Sequence, residues 1–156
     1  MKTRLTFSLL AFALWAMASA GPALAASPSP NPAGEILAGN EAAEKGDLDQ
    51  AIKHFTRAID SKKLSKENLA IAHNNRGSAY DDKGNVDQAI KDYSKAIAIN
   101  PDYDAAYYNR SYAYERKGKI AQALKDMEKA VKLVPDDPDF QMRLSYLQTK
   151  SDGQKQ

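Results

Sequence analysis

The stretch that decides the fold is SAYDDKGNVDQAIKDYSKAI, residues 78–97, because the chain contains two further copies of it. The other copies are EAAEKGDLDQAIKHFTRAI at residues 41–59 and YAYERKGKIAQALKDMEKAV at residues 112–131. A glycine marks the same point in each copy, and these glycines lie 38 and then 34 residues apart. A repeat of this length indicates an array of one supersecondary unit. Arrays of this kind usually bind other molecules and rarely catalyse reactions.

Each copy belongs to a longer repeat unit, which is called by the same name below. Each unit is predicted to contain two helices with the glycine between them. In the second copy, Ser65 is the expected N-cap of a first helix that ends at Asp82. Asn85 is the expected N-cap of the second helix, which ends near Ile99 because Pro101 disfavours helical backbone at the residue before it. The corresponding N-cap positions of the first and third copies hold Asp47 and Lys119.

The glycines fall into two groups with different physical reasons. Gly46, Gly84 and Gly118 lie between the two helices of a copy, where the chain reverses and a positive φ is expected. Gly39 and Gly77 lie inside the first helix, where glycine costs roughly 1 kcal/mol relative to alanine. We expect a close approach of the neighbouring helix to explain these two glycines.

The first 25 residues are predicted to form a secretory signal peptide. A basic start at residues 1–4 precedes an uncharged apolar run at residues 5–18, and cleavage is expected after Ala20 or Ala25. The alternative is an uncleaved anchor in the inner membrane, but the apolar run of 14 residues is shorter than the roughly 20 that a span requires. We therefore expect an exported protein, in a bacterial periplasm, without stable membrane insertion after cleavage.

Composition excludes several classes of partner and site. The chain has 22 Lys+Arg and 20 Asp+Glu, and removal of Lys2 and Arg4 with the signal leaves 20 of each. A neutral mature protein lacks the basic surface that nucleic-acid binding requires. The chain has no cysteine, so any metal site would need histidines and carboxylates alone. We expect no nucleic-acid partner, no metal and no cofactor.

A proline-rich linker is predicted at residues 26–33, because proline removes backbone donors and holds the chain extended. The repeat domain is expected over residues 34–150. Its parts are repeats at about 34–65, 70–103 and 104–137, followed by a capping helix at 138–150. Asp137 and Pro138 supply an N-cap and a first-turn proline for that helix. Residues 151–156 are expected to form a flexible tail.

The repeat resembles the tetratricopeptide repeat. The second copy carries the signature residues of that family at their usual spacing, namely Gly77, Tyr80, Ala89, Tyr93, Ala96 and Pro101. The resemblance implies an all-α fold, a short right-handed α-solenoid in which stacked helix pairs form a concave groove. It also implies a protein that binds other proteins. The first copy lacks the closing proline, and its longer interval indicates one joint that departs from the regular stack.

No arrangement of residues in the sequence indicates catalysis, and we expect no enzyme activity. The two histidines, His54 and His73, lie in different copies and match no metal-ligand spacing. His73 is expected to pack between helices, and His54 is expected at the surface. Asp81 and Asp82 are adjacent on a helix and so point in different directions, which favours a solvated pair over an acid–base pair.

Five tyrosines crowd the first helix of the third copy and its start. Tyr107 and Tyr114 occupy signature packing positions and are expected in the core. Tyr108 and Tyr112 are four residues apart, so they share one helix face. In the family this face turns toward the groove, and tyrosine suits peptide recognition because it combines an apolar ring with a polar tip.

The dipeptides Asn75-Arg76 and Asn109-Arg110 are the most suggestive polar features. In family members that bind a C-terminal carboxylate, two asparagines and several basic residues line the groove. Asn40 and Asn75 match the asparagine positions, but the basic positions hold Ile36, Ala105 and Asn109. A groove without those cations lacks the charge-assisted bonds that make carboxylate binding strong. The alternative is that the asparagines only bond neighbouring backbone.

The sequence thus predicts a small exported scaffold that binds a peptide or protein segment in its groove. The leading contact residues are Asn75, Asn109, Tyr108 and Tyr112, with Asn40, Asn74, Ser78 and Arg116 at the rim. The first alternative is a structural adaptor that self-associates through its terminal helix, which would make it a homo-oligomer. The second is an accessory subunit of a cell-envelope or secretion complex.

Overall fold

The computed structural model describes residues 31–153, a part of the chain that consists of seven α-helices without strands. The helices are α1 (Pro32–Glu44), α2 (Leu48–Asp60), α3 (Lys66–Asp82), α4 (Val86–Ile99), α5 (Asp104–Arg116), α6 (Ile120–Leu133) and α7 (Pro138–Gly153). Each helix packs on the next, so α1–α2, α3–α4 and α5–α6 form three helix pairs and α7 covers the last of them. The predicted all-α solenoid is confirmed. The predicted signal peptide lies outside the described residues.

The two ends of the repeat domain extend beyond the predicted boundaries. Helix α1 begins at Pro32, inside the predicted linker, with the side chain of Asn31 accepting from the backbone N–H of Ala33 at 3.2 Å. Proline is tolerated there because the first helical N–H needs no partner within the helix. Helix α7 continues to Gly153, so the first three residues of the predicted flexible tail are helical.

The predicted caps are confirmed at three helix starts. Ser65, Asp47 and Asn85 each accept a hydrogen bond from the backbone N–H three residues further along, at 3.2, 3.1 and 3.4 Å. Lys119 precedes α6 and makes no side-chain cap, as its chemistry requires. Asn100 adopts extended backbone before Pro101 and ends α4, also as predicted.

Both groups of glycines have the structural roles predicted for them. The turn glycines Gly46, Gly84 and Gly118 have φ of 76°, 80° and 70°. A Cβ on Gly39 would lie 2.6 Å from Cε1 of Phe55, and one on Gly77 would lie 2.8 Å from Cε1 of Tyr93. The absence of a side chain therefore lets one aromatic ring of the second helix contact the first helix.

The core repeats with the sequence. Each pair buries one large side chain at the same position of its second helix, and the three are Phe55, Tyr93 and Met127. Small residues surround them, since alanines at equivalent positions of the three second helices are fully buried: Ala51, Ala58, Ala89, Ala96, Ala123 and Ala130. Small side chains allow the close helix contacts on which the array depends.

A buried ion pair joins the two helices of the second pair and also the preceding pair. The Arg76 guanidinium donates two hydrogen bonds of 2.9 Å to the carboxylate of Asp92, one from Nε and one from Nη2. Its Nη1 donates to the hydroxyl of Thr56 in α2 at 3.0 Å. Arg110 repeats the arrangement, with bonds of 2.7 and 2.8 Å to Asp126 and 2.9 Å to the hydroxyl of Ser94 in α4. We call these two arrangements the arginine–aspartate bridges.

The first pair has a different polar contact at the corresponding place. Glu35 and His54 lie 2.7 Å apart there, and the side chain of His54 is 25% exposed, so this histidine lies partly at the surface. It also has a partner that the prediction did not include, because α1 supplies a buried carboxylate opposite His54. The predicted packing of His73 is confirmed, because its Nδ1 lies 3.1 Å from the carboxylate of Asp92.

Candidate peptide-binding groove

The first helices of the three pairs lie beside each other and form one continuous face. Contacts join α1 to α3 and α3 to α5, in addition to the contacts inside each pair. A cavity of about 300 Å³ opens on this face, and we call it the groove cavity. Its lining is Asn40, Ala43, Glu44, Phe55, Asn74, Asn75, Ser78, Ala79, Asp82 and Asn109. Five of the eight predicted contact residues therefore meet in one place.

Four asparagines of the groove cavity bond to each other in series. The Asn109 amide donates to the Asn74 carbonyl at 3.0 Å, across the α5–α3 joint. Asn74 donates to Asn75 at 3.2 Å, and Asn75 donates to Asn40 at 2.9 Å across the α3–α1 joint. We call this series the asparagine ladder. Since these bonds join side chain to side chain, the alternative that the asparagines bond only to neighbouring backbone is wrong.

The asparagine ladder leaves hydrogen-bonding capacity unused. An asparagine amide offers two protons and two principal lone pairs. The inner members, Asn74 and Asn75, each use one proton and one lone pair within the ladder, so one of each remains. Asn75 is half-buried and Asn74 is buried, which places these groups at the floor of the cavity.

Charge in the groove cavity is acidic. Glu44 and Asp82 are its charged lining residues, and no lysine or arginine lines it. The three positions at which the family resemblance implied basic residues hold Ile36, which is buried, Ala105 and Asn109. The Asn109 side chain is taken up in the asparagine ladder. The cavity therefore offers amides and carboxylates to a ligand.

Tyr108 and Tyr112 share one face of α5, as predicted, but line a separate hollow against α7. The Tyr108 ring stacks on Phe140 at 5.0 Å and meets Tyr112 edge-on at 5.1 Å between ring centroids. The two hydroxyls lie 3.2 Å apart, and this hydrogen bond, together with burial, raises the pKa of Tyr108 to about 12. The hollow measures about 490 Å³, and we call it the tyrosine hollow. Its lining is Tyr108, Tyr112, Asp139, Met142, Arg143 and Tyr146.

A buried arginine closes the floor of the tyrosine hollow. The guanidinium carbon of Arg143 lies 3.5 Å from the ring centroid of Tyr112, a cation–π contact. Its Nη2 lies 2.6 Å from a carboxylate oxygen of Glu115, at angles outside those of a hydrogen bond. Sequence reasoning missed both residues. The signal in the sequence was the spacing of Arg143 with Phe140 and Leu147, which puts it on the buried face of α7.

Glu115 fixes the capping helix to the third pair. Its carboxylate accepts from the Tyr146 hydroxyl at 2.8 Å and from the Lys150 ammonium at 2.6 Å. Partial burial would raise the pKa of Glu115, but the hydrogen bonds from Lys150 and Tyr146 and the nearby charge of Arg143 outweigh it and lower the pKa to about 2. This carboxylate therefore stays ionised at any pH above the strongly acidic range.

Arg116 lines neither the groove cavity nor the tyrosine hollow. Its Nη1 donates to the backbone carbonyl of Asp81 at 3.0 Å and to the Asp81 carboxylate at 2.5 Å. The prediction of a groove contact from Arg116 is therefore corrected to an ion pair between α5 and α3. Asp81 is likewise a partner in this ion pair and not simply solvated.

Arg76 and Arg110 also contribute to helix packing and do not line the groove cavity. Each follows an asparagine of the asparagine ladder, yet its guanidinium turns into the helix interface to form an arginine–aspartate bridge. Consecutive residues of a helix point in different directions, so the asparagine and the arginine of each dipeptide serve different faces. Only the asparagines belong to the candidate site.

The described structure places the chain in the class of α-solenoids built from helix pairs. Sequence models of the tetratricopeptide repeat match residues 36–63, 70–103 and 104–137, which together make up more than half of the chain. The chain belongs to the tetratricopeptide repeat family. This confirms the resemblance and the three predicted repeats. A comparison with curated protein sequences found no match.

Solved structures share this fold along most of the chain. The first tetratricopeptide domain of Spaghetti (RPAP3), bound to the HSP90 peptide SRMEEVD, is 26% identical with a TM-score of 0.72, covering 80% of this chain and 95% of its own. The TPR2B domain of yeast Sti1 in a pHsp70 complex is 25% identical with a TM-score of 0.67, covering 76% and 98%. The Sgt2 domain of Aspergillus fumigatus is 21% identical with a TM-score of 0.73, covering 82% and 83%, and supports the fold alone.

Within residues 31–153, no helix is both long enough and apolar enough to cross a bilayer.

Proposed function

We propose that this protein is an interaction scaffold that binds an extended peptide segment of a partner in its groove cavity. The observation that carries the proposal is the asparagine ladder, which runs across three helices and keeps free donors and acceptors on one face. Two relatives of the same fold support it, since Spaghetti (RPAP3) was solved with an HSP90 peptide and Sti1 in a pHsp70 complex.

An extended backbone suits the chemistry of the asparagine ladder. A peptide group presents one N–H and one C=O, and an asparagine amide with one free lone pair and one free proton complements both. Main-chain bonds of this kind supply affinity in peptide recognition, while side-chain pockets supply specificity. The preformed bonds between the asparagines also hold each amide in place before a ligand arrives, which lowers the entropy lost on binding.

The test is the retention of partners from cell-envelope extract by the purified full chain. Asn75→Ala with Asn109→Ala removes two amides, and at about 1 kcal/mol for each lost hydrogen bond retention falls roughly tenfold or more. The matched control is Gln122→Ala with Gln148→Ala, which removes two exposed amides outside the groove cavity. Equal retention by wild type and the ladder variant would overturn the proposal.

Export is a second part of the proposal, supported by the basic, apolar and small-residue order of residues 1–25. Intact mass measurement of the protein from its own cells tests it. The expected mass corresponds to a chain that starts after Ala20 or Ala25. A full-length chain in the membrane fraction would instead support the anchored alternative.

Self-association is the second candidate, and the exposed side chains of α7 favour it. Met142 is 66% exposed and Tyr146 is 48% exposed on this terminal helix, where a further copy could pack. Analytical ultracentrifugation at micromolar protein concentration tests self-association, because a strictly monomeric protein would exclude it. An accessory subunit of a cell-envelope complex would use the same groove to tether. In each version the protein acts by binding alone, and catalytic turnover by the mature protein would contradict this.

A further inference from the structure

The groove cavity carries a charge pattern that the repeat register makes clear. The intervals that align the three copies also align Glu44 in α1, Asp82 in α3 and Arg116 in α5. The first two are carboxylates that line the groove cavity together with the asparagine ladder. The third is a cation already bound to Asp81. The charge at this position therefore changes sign between the second and third pairs.

We propose that the groove selects a partner segment with a lysine or arginine side chain, held between Glu44 and Asp82 while the asparagine ladder binds the neighbouring backbone. This inference rests on the proposed function, because it identifies the chemistry of the ligand at the same site.

The two carboxylates are available to a ligand. In the part of the chain between residues 31 and 153, no lysine, arginine or histidine lies within ion-pair distance of either one. Both residues are exposed at the cavity mouth. Binding a cation there removes little hydration and adds a favourable Coulomb term.

The neighbouring lysines turn away from the groove cavity. Lys45 follows Glu44, but it lines a different hollow between α1 and α2 that also contains His54. Lys83 follows Asp82, but its ammonium binds Asp49 in α2. Within residues 31–153, neither neighbouring lysine therefore forms an ion pair with the carboxylates of the groove cavity.

The raised pKa of the neighbouring Asp81 agrees with an acidic environment on this face. Burial raises the pKa of Asp81, the bound Arg116 opposes that rise, and repulsion from Asp82 adds to it. The net result is a raised pKa despite a direct ion pair.

Arg116 restricts where a cationic side chain can lie. The equivalent position in the third pair is occupied by a guanidinium, and its repulsion disfavours a second cation at the α5 end. The cation is therefore directed to the α1–α3 end of the asparagine ladder. A single charged position of this kind fixes the register of an otherwise generic backbone interaction.

The test compares three degenerate nonapeptide pools with acetylated and amidated ends, which differ only in a fixed central lysine, norleucine or glutamate. Binding to the full chain is measured by fluorescence anisotropy at 50 and 300 mM NaCl. The lysine pool is expected to bind roughly fivefold more tightly than the norleucine pool at low salt, and the glutamate pool more weakly than both. At 300 mM NaCl screening should reduce the preference to about twofold or less.

Variants assign the preference to the named carboxylates. Glu44→Gln with Asp82→Asn should bring the lysine pool to the affinity of the norleucine pool and so abolish the preference for lysine. The control, Glu128→Gln with Asp136→Asn, makes the same change of net charge at exposed positions outside the groove cavity and should preserve it. Equal binding of the lysine and norleucine pools, or the same effect from both variants, overturns the charge preference alone. If none of the pools binds, the proposed groove function fails with it.

Discussion

The second and third helix pairs contain the same buried bridge but surround it differently. Asp92 is fully buried and contacts both Arg76 and His73. Asp126 is 5% exposed and, within residues 31–153, accepts side-chain hydrogen bonds from Arg110 but not from a histidine, because the position of His73 holds Tyr107 in the third pair. The bridge itself is thus shared by the second and third pairs, whereas its surroundings differ between them.

The same comparison extends to the candidate site. Asn75 and Asn109 are equivalent in the two pairs, and both join the asparagine ladder. One residue earlier, the second pair has Asn74 and the third has Tyr108. The amide continues the ladder, while the ring stacks on the capping helix. Differences at equivalent positions, Asn74 against Tyr108 and Ser78 against Tyr112, therefore separate the groove cavity from the tyrosine hollow.

The largest expected effect comes from Asp92→Ala, which leaves the Arg76 guanidinium buried without its carboxylate. Breaking a buried pair from one side costs about 3–5 kcal/mol of the free energy of unfolding. Urea unfolding of the full chain measures it. Asp87→Ala on the same helix is the control, because this exposed partner of Lys117 should change the free energy of unfolding far less. A cost below 1 kcal/mol for Asp92→Ala would contradict the assigned role of the bridge.

Asp126→Ala should follow, with a smaller loss of about 2 kcal/mol. Water reaches this bridge more readily, since the side chain of Arg110 is 16% exposed against 11% for Arg76. The rings of Tyr107 and Tyr114 also remain near the guanidinium after the carboxylate is lost. The same urea experiment compares Asp126→Ala with Asp92→Ala. If Asp126→Ala lowered the free energy of unfolding by as much as Asp92→Ala or more, the residues around each bridge would not determine its contribution.

A third test uses the small residues that are equivalent in the two pairs. Gly77→Ala places a methyl group 2.8 Å from the buried ring of Tyr93 and should cost about 1 kcal/mol, after the gain in helix propensity offsets part of the overpacking. Ser111→Ala fits the space of the original side chain and loses only a hydroxyl bond to the Tyr108 carbonyl. In thermal unfolding, Gly77→Ala should therefore lower the Tm clearly, whereas Ser111→Ala should lower it only slightly.

The smallest effect concerns pH and the capping helix. The pKa of Glu115 is lowered to about 2, so its contribution to stability is present above its ordinary pKa near 4.3 and is lost as pH falls from there toward 2. Glu115→Gln should flatten this part of the stability curve, measured as the urea midpoint at pH 6, 4 and 3. Glu128→Gln, an exposed acid on α6, should keep the wild-type slope. If the urea midpoints of wild type and Glu115→Gln changed with pH in parallel, Glu115 would not be the source of the pH dependence.

The sequence was sufficient for features that depend on neighbouring residues. Asn85 as a cap and Gly84 as a turn were predictable, because capping and positive φ are set within a few residues. The asparagines of the groove were also predictable, from their place in the repeat. The arginine of each Asn-Arg dipeptide was not, because its carboxylate partner lies 16 residues away on the next helix.

Tyr108 and Tyr112 show a second kind of limit. Their common face follows from helix geometry, but the neighbour of that face depends on how α7 packs. Arg116 is similar, since only the arrangement of α5 beside α3 brings it to Asp81, 35 residues earlier. Contacts between pairs are tertiary, and a repeat pattern describes the unit without fixing the polar bonds at each joint.

The hydroxyl bonds of the two bridges have a consequence for how the array comes apart. Arg76 reaches back to Thr56, and Arg110 reaches back to Ser94, so each buried cation is completed by the pair before it. If one pair detached, the next would be left with an unsatisfied guanidinium proton in its interior. Nearest-neighbour terms of this kind join repeats into one cooperative unit. We therefore expect the array to unfold in a single thermal transition, without pairs detaching one by one from its ends.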